Sequence, residues 1–264
     1  MEHRRNLMLR TLLLIIIAVL YLIITLPVMA VLAAIGRKNP EKRERTARKM
    51  VQWVFRLLTR ATGSTVTVRG LENIPKDEPA LFIGNHRSIF DIITVYPYIH
   101  EPVSFVSKVS IHKIPLLGIW MDFIQSLYFD RSDMKQAMRM ILDGTELLKK
   151  GTSVFIYPEG TRKKTGNDLP LGEFHEGSFR MAVKSGRVIV PVAFTGTIHI
   201  FEEHKPWIRP SQVTITFCPP IDPKNYDRRE QKRLGSITRE KMTETLLAQG
   251  VVPDPEPAPE SNES

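Results

Sequence analysis

The segment GNHRSIFD, residues 84–91, sets His86 and Asp91 five positions apart. A histidine held by a carboxylate is a general base: the acid fixes the imidazole tautomer and stabilises the imidazolium that forms. No serine or cysteine nucleophile is needed if the acceptor substrate brings its own hydroxyl. On one continuous helix, residues five apart point about 140° from each other, and the pair would diverge. The flanking sequence predicts something else. A β-rich run, 80–83, precedes the segment, Ser88 can cap a helix, and Asp91 follows three residues later in the capping-box position. With His86 in the loop and Asp91 in the first turn, the carboxylate can reach the imidazole. A capping aspartate beside an unrelated loop histidine fits the same eight residues.

A second segment, YPEGTRKK at 157–164, also follows a β-rich run, 153–157. Gly160 permits an unusual backbone angle or a close approach to ligand. Glu159, Thr161, Arg162, Lys163 and Lys164 cluster there, and the forked donors of Arg162 suit a phosphate. A turn with solvated charges is the alternative. A third, YFDRSD at 128–133, sets Arg131 at a strand–helix junction, where phosphate oxygens could meet backbone N–H groups; an ion pair with Asp130 or Asp133 is the other reading. Lys108, after the run 103–106, is a weaker candidate of the same kind. In VIVPVAFTG, 188–196, Pro191 implies an edge strand or a bulge.

Other chemistries find little support. His112, His175, His199 and His204 lack zinc-type spacing, and Cys218 is the one cysteine, so neither a disulfide nor a metal site is expected. There is no Walker loop and no GxGxxG.

The elements that must position these residues alternate. Runs at 65–68, 80–83, 103–106, 153–157, 188–194 and 213–217 read as strands with helical patterns between several of them. The clearest helix is 133–149, with Ser132 as its N-cap and Met134, Ala137, Met138, Ile141, Leu142 and Leu148 on one face. This predicts an α/β domain with a mostly parallel sheet flanked by helices, whose sites form at the C-terminal strand ends.

Residues 11–35 contain no charge, a run long enough to span a bilayer but interrupted by Pro27. Residues 40–63 then carry apolar positions at helical spacing amid Lys and Arg, the pattern of a basic amphipathic helix lying among headgroups or packed on the domain. The net charge of +9 and the basic stretch after an apolar run favour anionic membrane lipids over nucleic acid. Positive residues are densest after the run, which predicts a catalytic domain on the cytoplasmic face of the cell membrane. The expected organisation is a membrane-anchoring segment at 1–62, a catalytic domain at 63–250 and a disordered acidic tail at 251–264.

Together the motifs resemble the glycerolipid acyltransferase family, the 1-acyl-glycerol-3-phosphate acyltransferases in particular. Asn85, His86 and Asp91 match NHxxxxD, QSLYFDR matches GxxFIDR, YPEGTR matches FPEGTR, and Val190, Pro191 and Val192 match a V-P-V core. FHEGSF at 174–179 is similar to the F-K-x-G stretch. Two positions depart: Gln125 stands at the usual glycine of the second block and His175 at the usual lysine.

The resemblance implies transfer of an acyl chain from acyl-CoA or acyl-carrier protein to the sn-2 hydroxyl of lysophosphatidic acid, with no cofactor. His86 would be the base and Asp91 its partner. Arg131, Arg162 and Lys108 would bind phosphate, Glu159 and Gly160 would place the glycerol and the oxyanion, and Thr161 joins the substrate-binding set. Alternatives are an acyltransferase for another acceptor, such as glycerol-3-phosphate or a lyso-ornithine lipid, and a non-catalytic membrane-surface protein.

Overall fold

The computed structural model describes residues 2–130, 133–162 and 167–253. Arg131, Ser132, Lys163, Lys164 and the tail from residue 254 lie outside them. Strands β1 (Thr65–Arg69), β2 (Leu81–Gly84), β3 (Val103–Lys108), β4 (Leu127–Phe129), β5 (Ser153–Ile156), β6 (Ile189–Thr195) and β7 (Gln212–Phe217) form one sheet in the order β1-β7-β6-β2-β5-β3-β4. Neighbours run parallel except β6 and β7. The predicted α/β class is the observed one.

Alternate side chains of the central strands enter two apolar layers, as the period of two requires. Phe82, Phe155, Val190 and Phe217 face one layer. Leu81, Ile83, Val154 and Ile156 face the other. Burial on both faces explains why β2 and β5 are continuous apolar runs.

Pro191 sits on an interior strand, not an edge, since β6 lies between β2 and β7. The bulge half of the expectation is met. The register slips by one residue between the Ile189–Ile221 bridge and the Val192–Phe217 pair, and the Pro191 carbonyl accepts from the Cys218 amide at 2.8 Å.

Three helices precede the sheet: α1 (Glu2–Ile24), α2 (Leu26–Lys38) and α3 (Pro40–Thr62). The apolar run breaks at Thr25, and Pro27 falls in the first turn of α2, where a missing N–H costs least. Asn39 caps α3 by accepting from the Lys42 amide at 2.8 Å, and Gly63 ends it at φ 73°. The apolar stripe of α3, with Ala47, Val51, Val54 and Leu58, is buried in the layer that holds Phe82 and Tyr96. That stripe therefore packs on the sheet domain. Polar bolts reinforce the contact. Gln52 donates to the Ile99 carbonyl at 2.8 Å, Arg56 donates to the Pro97 carbonyl at 2.9 Å, and Arg48, paired within the helix with Glu44 at 3.0 Å, donates to the His100 carbonyl.

Helix α1 is long and apolar enough to cross a membrane, and only 11% of its apolar window is buried. It nonetheless touches the rest of the chain along its length. Arg10 donates to the Thr62 carbonyl at 3.2 Å, Thr11 Oγ1 accepts from the Ile208 amide at 2.9 Å, and the Tyr21 ring lies 5.4 Å from that of Trp120.

The remaining helices are α4 (Phe90–Val95), α5 (Val109–His112), α6 (Leu117–Phe123), α7 (Met134–Lys149), α8 (Arg180–Ser185) and α9 (Leu234–Ala248). The cap of α7 is Asp133, which accepts from the amides of Lys135 and Gln136 at 2.8 and 3.2 Å. Its buried face also differs from expectation: Met140, Ile141, Gly144, Thr145 and Leu148 point inward, while Met134, Met138 and Leu142 are exposed. Gly144 and Thr145 are too small and polar to register in an apolar count, so a rotated stripe looked continuous.

Candidate active site

β2 ends where Asn85 takes over its pairing with β6. The Asn85 amide donates to the Phe194 carbonyl at 3.0 Å and accepts from the Phe194 amide at 2.8 Å. The side chain thus satisfies backbone groups that a further strand residue would have paired, and the chain turns away with His86 leading. His86 Nδ1 lies 2.8 Å from Asp91 Oδ2. That oxygen also accepts from the amides of Arg87 and Ser88, each at 2.8 Å, while Asp91 Oδ1 accepts from the Thr197 hydroxyl. Ile89, not Ser88, takes the N-cap of α4, so Asp91 is its second residue and not its third; the bond from the Ser88 amide is still the back-reach expected of a capping box. The Ser88 hydroxyl, however, accepts from Phe90 two residues on, at 3.1 Å.

Asp91 is fully buried. A buried carboxylate that accepts from four donors is held rigidly. It fixes Nδ1–H as the donor and leaves Nε2 with its lone pair. The ring of Tyr157 stacks on His86 at 4.2 Å with 19° between planes and sets the orientation further.

His86, Ile89, Lys108, Thr161, Arg162 and Glu202 line a cavity of about 390 Å³, with Phe129 and Ile156 among its apolar walls. His86 thus faces a chamber with a cationic side and an apolar side. An adjoining cavity of about 460 Å³ shares Phe129, Ile156, Tyr157 and Thr161 with the first and continues past Met140 and Ile141.

The eight candidate residues divide. His86, Lys108, Thr161 and Arg162 line the first cavity, and Asp91 stands behind His86. Arg131 lies outside the described residues. Glu159 and Gly160 line the adjoining cavity. Glu159, expected to help place the glycerol and the oxyanion, also has a structural task. One carboxylate oxygen accepts from the His86 amide at 2.8 Å and the other from the Gly172 amide at 3.3 Å, so it braces two loops. Burial raises its pKa, an effect the His86 amide opposes. Gly160 has φ 70°, as its residue type suggested.

Glu202 went unseen in the sequence. It lies 111 residues past Asp91 with no motif around it, and its side chain is only 3% exposed. Its carboxylate accepts from the Ser88 hydroxyl, from the Ile89 amide at 3.0 Å and from Arg162 Nη1 at 2.8 Å. One acid therefore fixes both the entry to α4 and the arginine that faces the cavity.

The two departures now have physical readings. Gln125 has φ 56°, a left-handed conformation that glycine adopts without strain, so the backbone path is kept at a cost of about 1–2 kcal/mol. His175 lies beside Gly160 and lines the adjoining cavity, away from His86.

Tyr157 stands where the first residue of its motif is usually phenylalanine, and its buried hydroxyl meets no partner among the described residues. Burying an unpaired hydroxyl costs about 1–3 kcal/mol. Tyr157→Phe should therefore raise the unfolding midpoint in a thermal melt while activity is retained. A lowered midpoint would mean that the hydroxyl is satisfied in solution.

A family model described as Acyltransferase matches residues 65–195. A 1-acyl-sn-glycerol-3-phosphate acyltransferase of Borreliella burgdorferi is 30% identical over 185 residues, which are 70% of this chain and 72% of that protein. A chloroplast enzyme of the same name from Arabidopsis thaliana is 39% identical over 133 residues, 50% of this chain and 36% of that one, and one from Chlamydomonas reinhardtii is 31% identical over 71% of this chain and 56% of its own length. The chain thus spans about a third to a half of these two plastid-bearing organisms' proteins. The crystal structure of the 1-acyl-sn-glycerophosphate acyltransferase PlsC of Thermotoga maritima superposes with a TM-score of 0.80 at 24% identity, covering 96% of this chain and 99% of that one.

Proposed function

This chain belongs to the acyltransferase family, and from that premise we propose that it moves a fatty acyl chain from a thioester, acyl-CoA or acyl-carrier protein, onto the sn-2 hydroxyl of lysophosphatidic acid. The observation that carries the reading is the His86–Asp91 pair opening onto a cavity whose cationic wall holds Lys108 and Arg162. A phosphomonoester suits that wall, and a lipid chain suits the apolar one.

His86 Nε2 takes the proton of the acceptor hydroxyl as its oxygen attacks the thioester carbonyl. Asp91 steadies the imidazolium. The C–S bond then breaks, the imidazolium returns its proton to the leaving sulfur, and phosphatidic acid and a free thiol result. No covalent acyl-enzyme forms. Residues 1–62 serve as the membrane anchor and 63–250 as the catalytic domain. The contacts of α1 with Thr62, Ile208 and Trp120 favour a helix lying along the domain in one leaflet over one crossing the bilayer. The basic residues that follow the apolar run favour the cytoplasmic face.

The test is radiolabelled transfer with an acceptor panel. Lysophosphatidic acid should exceed acceptors without a phosphomonoester, and exclusive use of a phosphate-free acceptor would overturn the reading. Arg162→Ala should raise KM for lysophosphatidic acid by about tenfold or more, the worth of one charge-assisted bond, with a smaller change in kcat. Glu202→Gln should move KM the same way, because Arg162 loses the charge that aims it.

A further inference from the structure

Around the cavity that holds His86, large apolar side chains face solvent. Ile89 and Ile111, in its lining, are 49% and 36% exposed. Ile114, on the segment joining α5 to α6, and Ile119, in the first turn of α6, are 48% and 43% exposed, and Trp207, two residues past the lining Lys205, is 36% exposed. Single exposed apolar residues are ordinary on a protein surface, but a set gathered around one opening marks a contact surface.

Helix α1 joins both sides of that opening. Thr11 accepts from Ile208, next to Trp207, and Tyr21 packs on Trp120, next to Ile119. The bare face of α1, with Leu9, Leu13 and Ile16 exposed, thus adjoins both segments of the rim. Cations are interleaved with the apolar side chains: Lys108, Lys113 and Lys205 are exposed there. The acids of this region are engaged: Asp122 by His112 at 3.1 Å and the Tyr128 hydroxyl at 2.8 Å, Glu202 by Arg162 at 2.8 Å and Glu203 by His199 at 2.6 Å. Apolar tips among lysines, continuous with a lipid-facing helix, match the acyl–headgroup boundary of an anionic bilayer.

We infer that residues 109–119 and 205–207 form a second membrane-contact surface, which seats the cavity mouth in the bilayer interface and lets the acceptor lipid enter sideways from the leaflet. The inference rests on the proposed lipid acceptor and membrane anchoring. Its test separates the two. Ile114→Cys is labelled with an environment-sensitive fluorophore; Cys218 is 1% exposed and stays unlabelled in the folded protein. The full chain is bound to vesicles of phosphatidylcholine and phosphatidylglycerol that carry a spin label near the top of the acyl chains. Leu13→Cys reports on α1, and Glu240→Cys, exposed on α9, whose packing is in the opposite apolar layer, is the control.

The label at position 114 should be quenched severalfold more than the control. Quenching at position 13 with none at 114 would overturn the second surface and leave the membrane anchor standing. Quenching at neither would overturn both. A label at 114 that is blue-shifted equally without vesicles would assign the rim to a second copy of the chain and also overturn the inference.

Discussion

His86→Ala abolishes acyl transfer to within about a thousandth of the wild-type rate while vesicle binding is unchanged. The size follows from the role: a positioned general base contributes about 10²–10⁴-fold, and among the described residues that line the cavity there is no second imidazole. Glu202, which shares the lining, is engaged by Ser88, Ile89 and Arg162. Glu159 is engaged by two backbone amides. Removing the imidazole leaves the Asp91 carboxylate with the Arg87, Ser88 and Thr197 donors, so the loop should hold its shape. The measurement is the initial rate of radiolabelled transfer, beside co-sedimentation with anionic vesicles. Retained turnover would remove His86 from the mechanism. Joint loss of turnover and binding would point to a folding defect.

Asp91→Asn tests the charge alone. Oδ2 accepts from two backbone amides that cannot reverse, so the amide carbonyl must occupy that position and still accepts from His86 Nδ1–H. The new NH₂ then faces the Thr197 hydroxyl, which can rotate to accept. Geometry and tautomer survive, and only the negative charge beside the forming imidazolium is lost. At about 4 Å and an effective dielectric of about 20, that charge is worth about 4 kcal/mol, an upper bound near a thousandfold in rate. The expected result is a loss of about 10²- to 10³-fold in kcat, with KM for the acceptor little changed and an unfolding midpoint close to wild type. Asp91→Ala should instead also lower that midpoint, because it strands buried donors at about 1–3 kcal/mol each. Full activity in Asp91→Asn would mean that no imidazolium forms in the slow step.

Local chemistry was what the sequence could disclose. The reach of Asp91 back to the Ser88 amide, the strand before His86 and the left-handed glycine at 160 follow from residue types within a few positions, and the structure contains each. The parallel sheet was legible because buried strands leave continuous apolar runs. Long-range pairing was not. Nothing near Glu202 signals that it will hold Arg162, since the two meet only after a separation of 40 residues through the sheet. The role of Glu159 depended equally on which backbone amides came to face it. For α3, periodicity located the apolar stripe but could not say whether lipid or protein would cover it. Gln52, Arg48 and Arg56, which periodicity does not single out, are ties to the 96–100 turn. In α7 an apolar count favoured Met134 and Met138 over Gly144 and Thr145, because side-chain size and polarity alone cannot locate a tightly packed helix crossing.

The bond between Thr11 and the Ile208 amide closes a stretch of 197 residues. At about 5–20 residues per second, a ribosome needs about 10 to 40 s to make the partner after the first helix has emerged. Over that interval an oily helix has only α2 and α3 to pack on, and nearby lipid is the solvent that suits its exposed face. Targeting to the bilayer should therefore come before folding during biosynthesis, with the half-made chain already tethered when its sheet assembles.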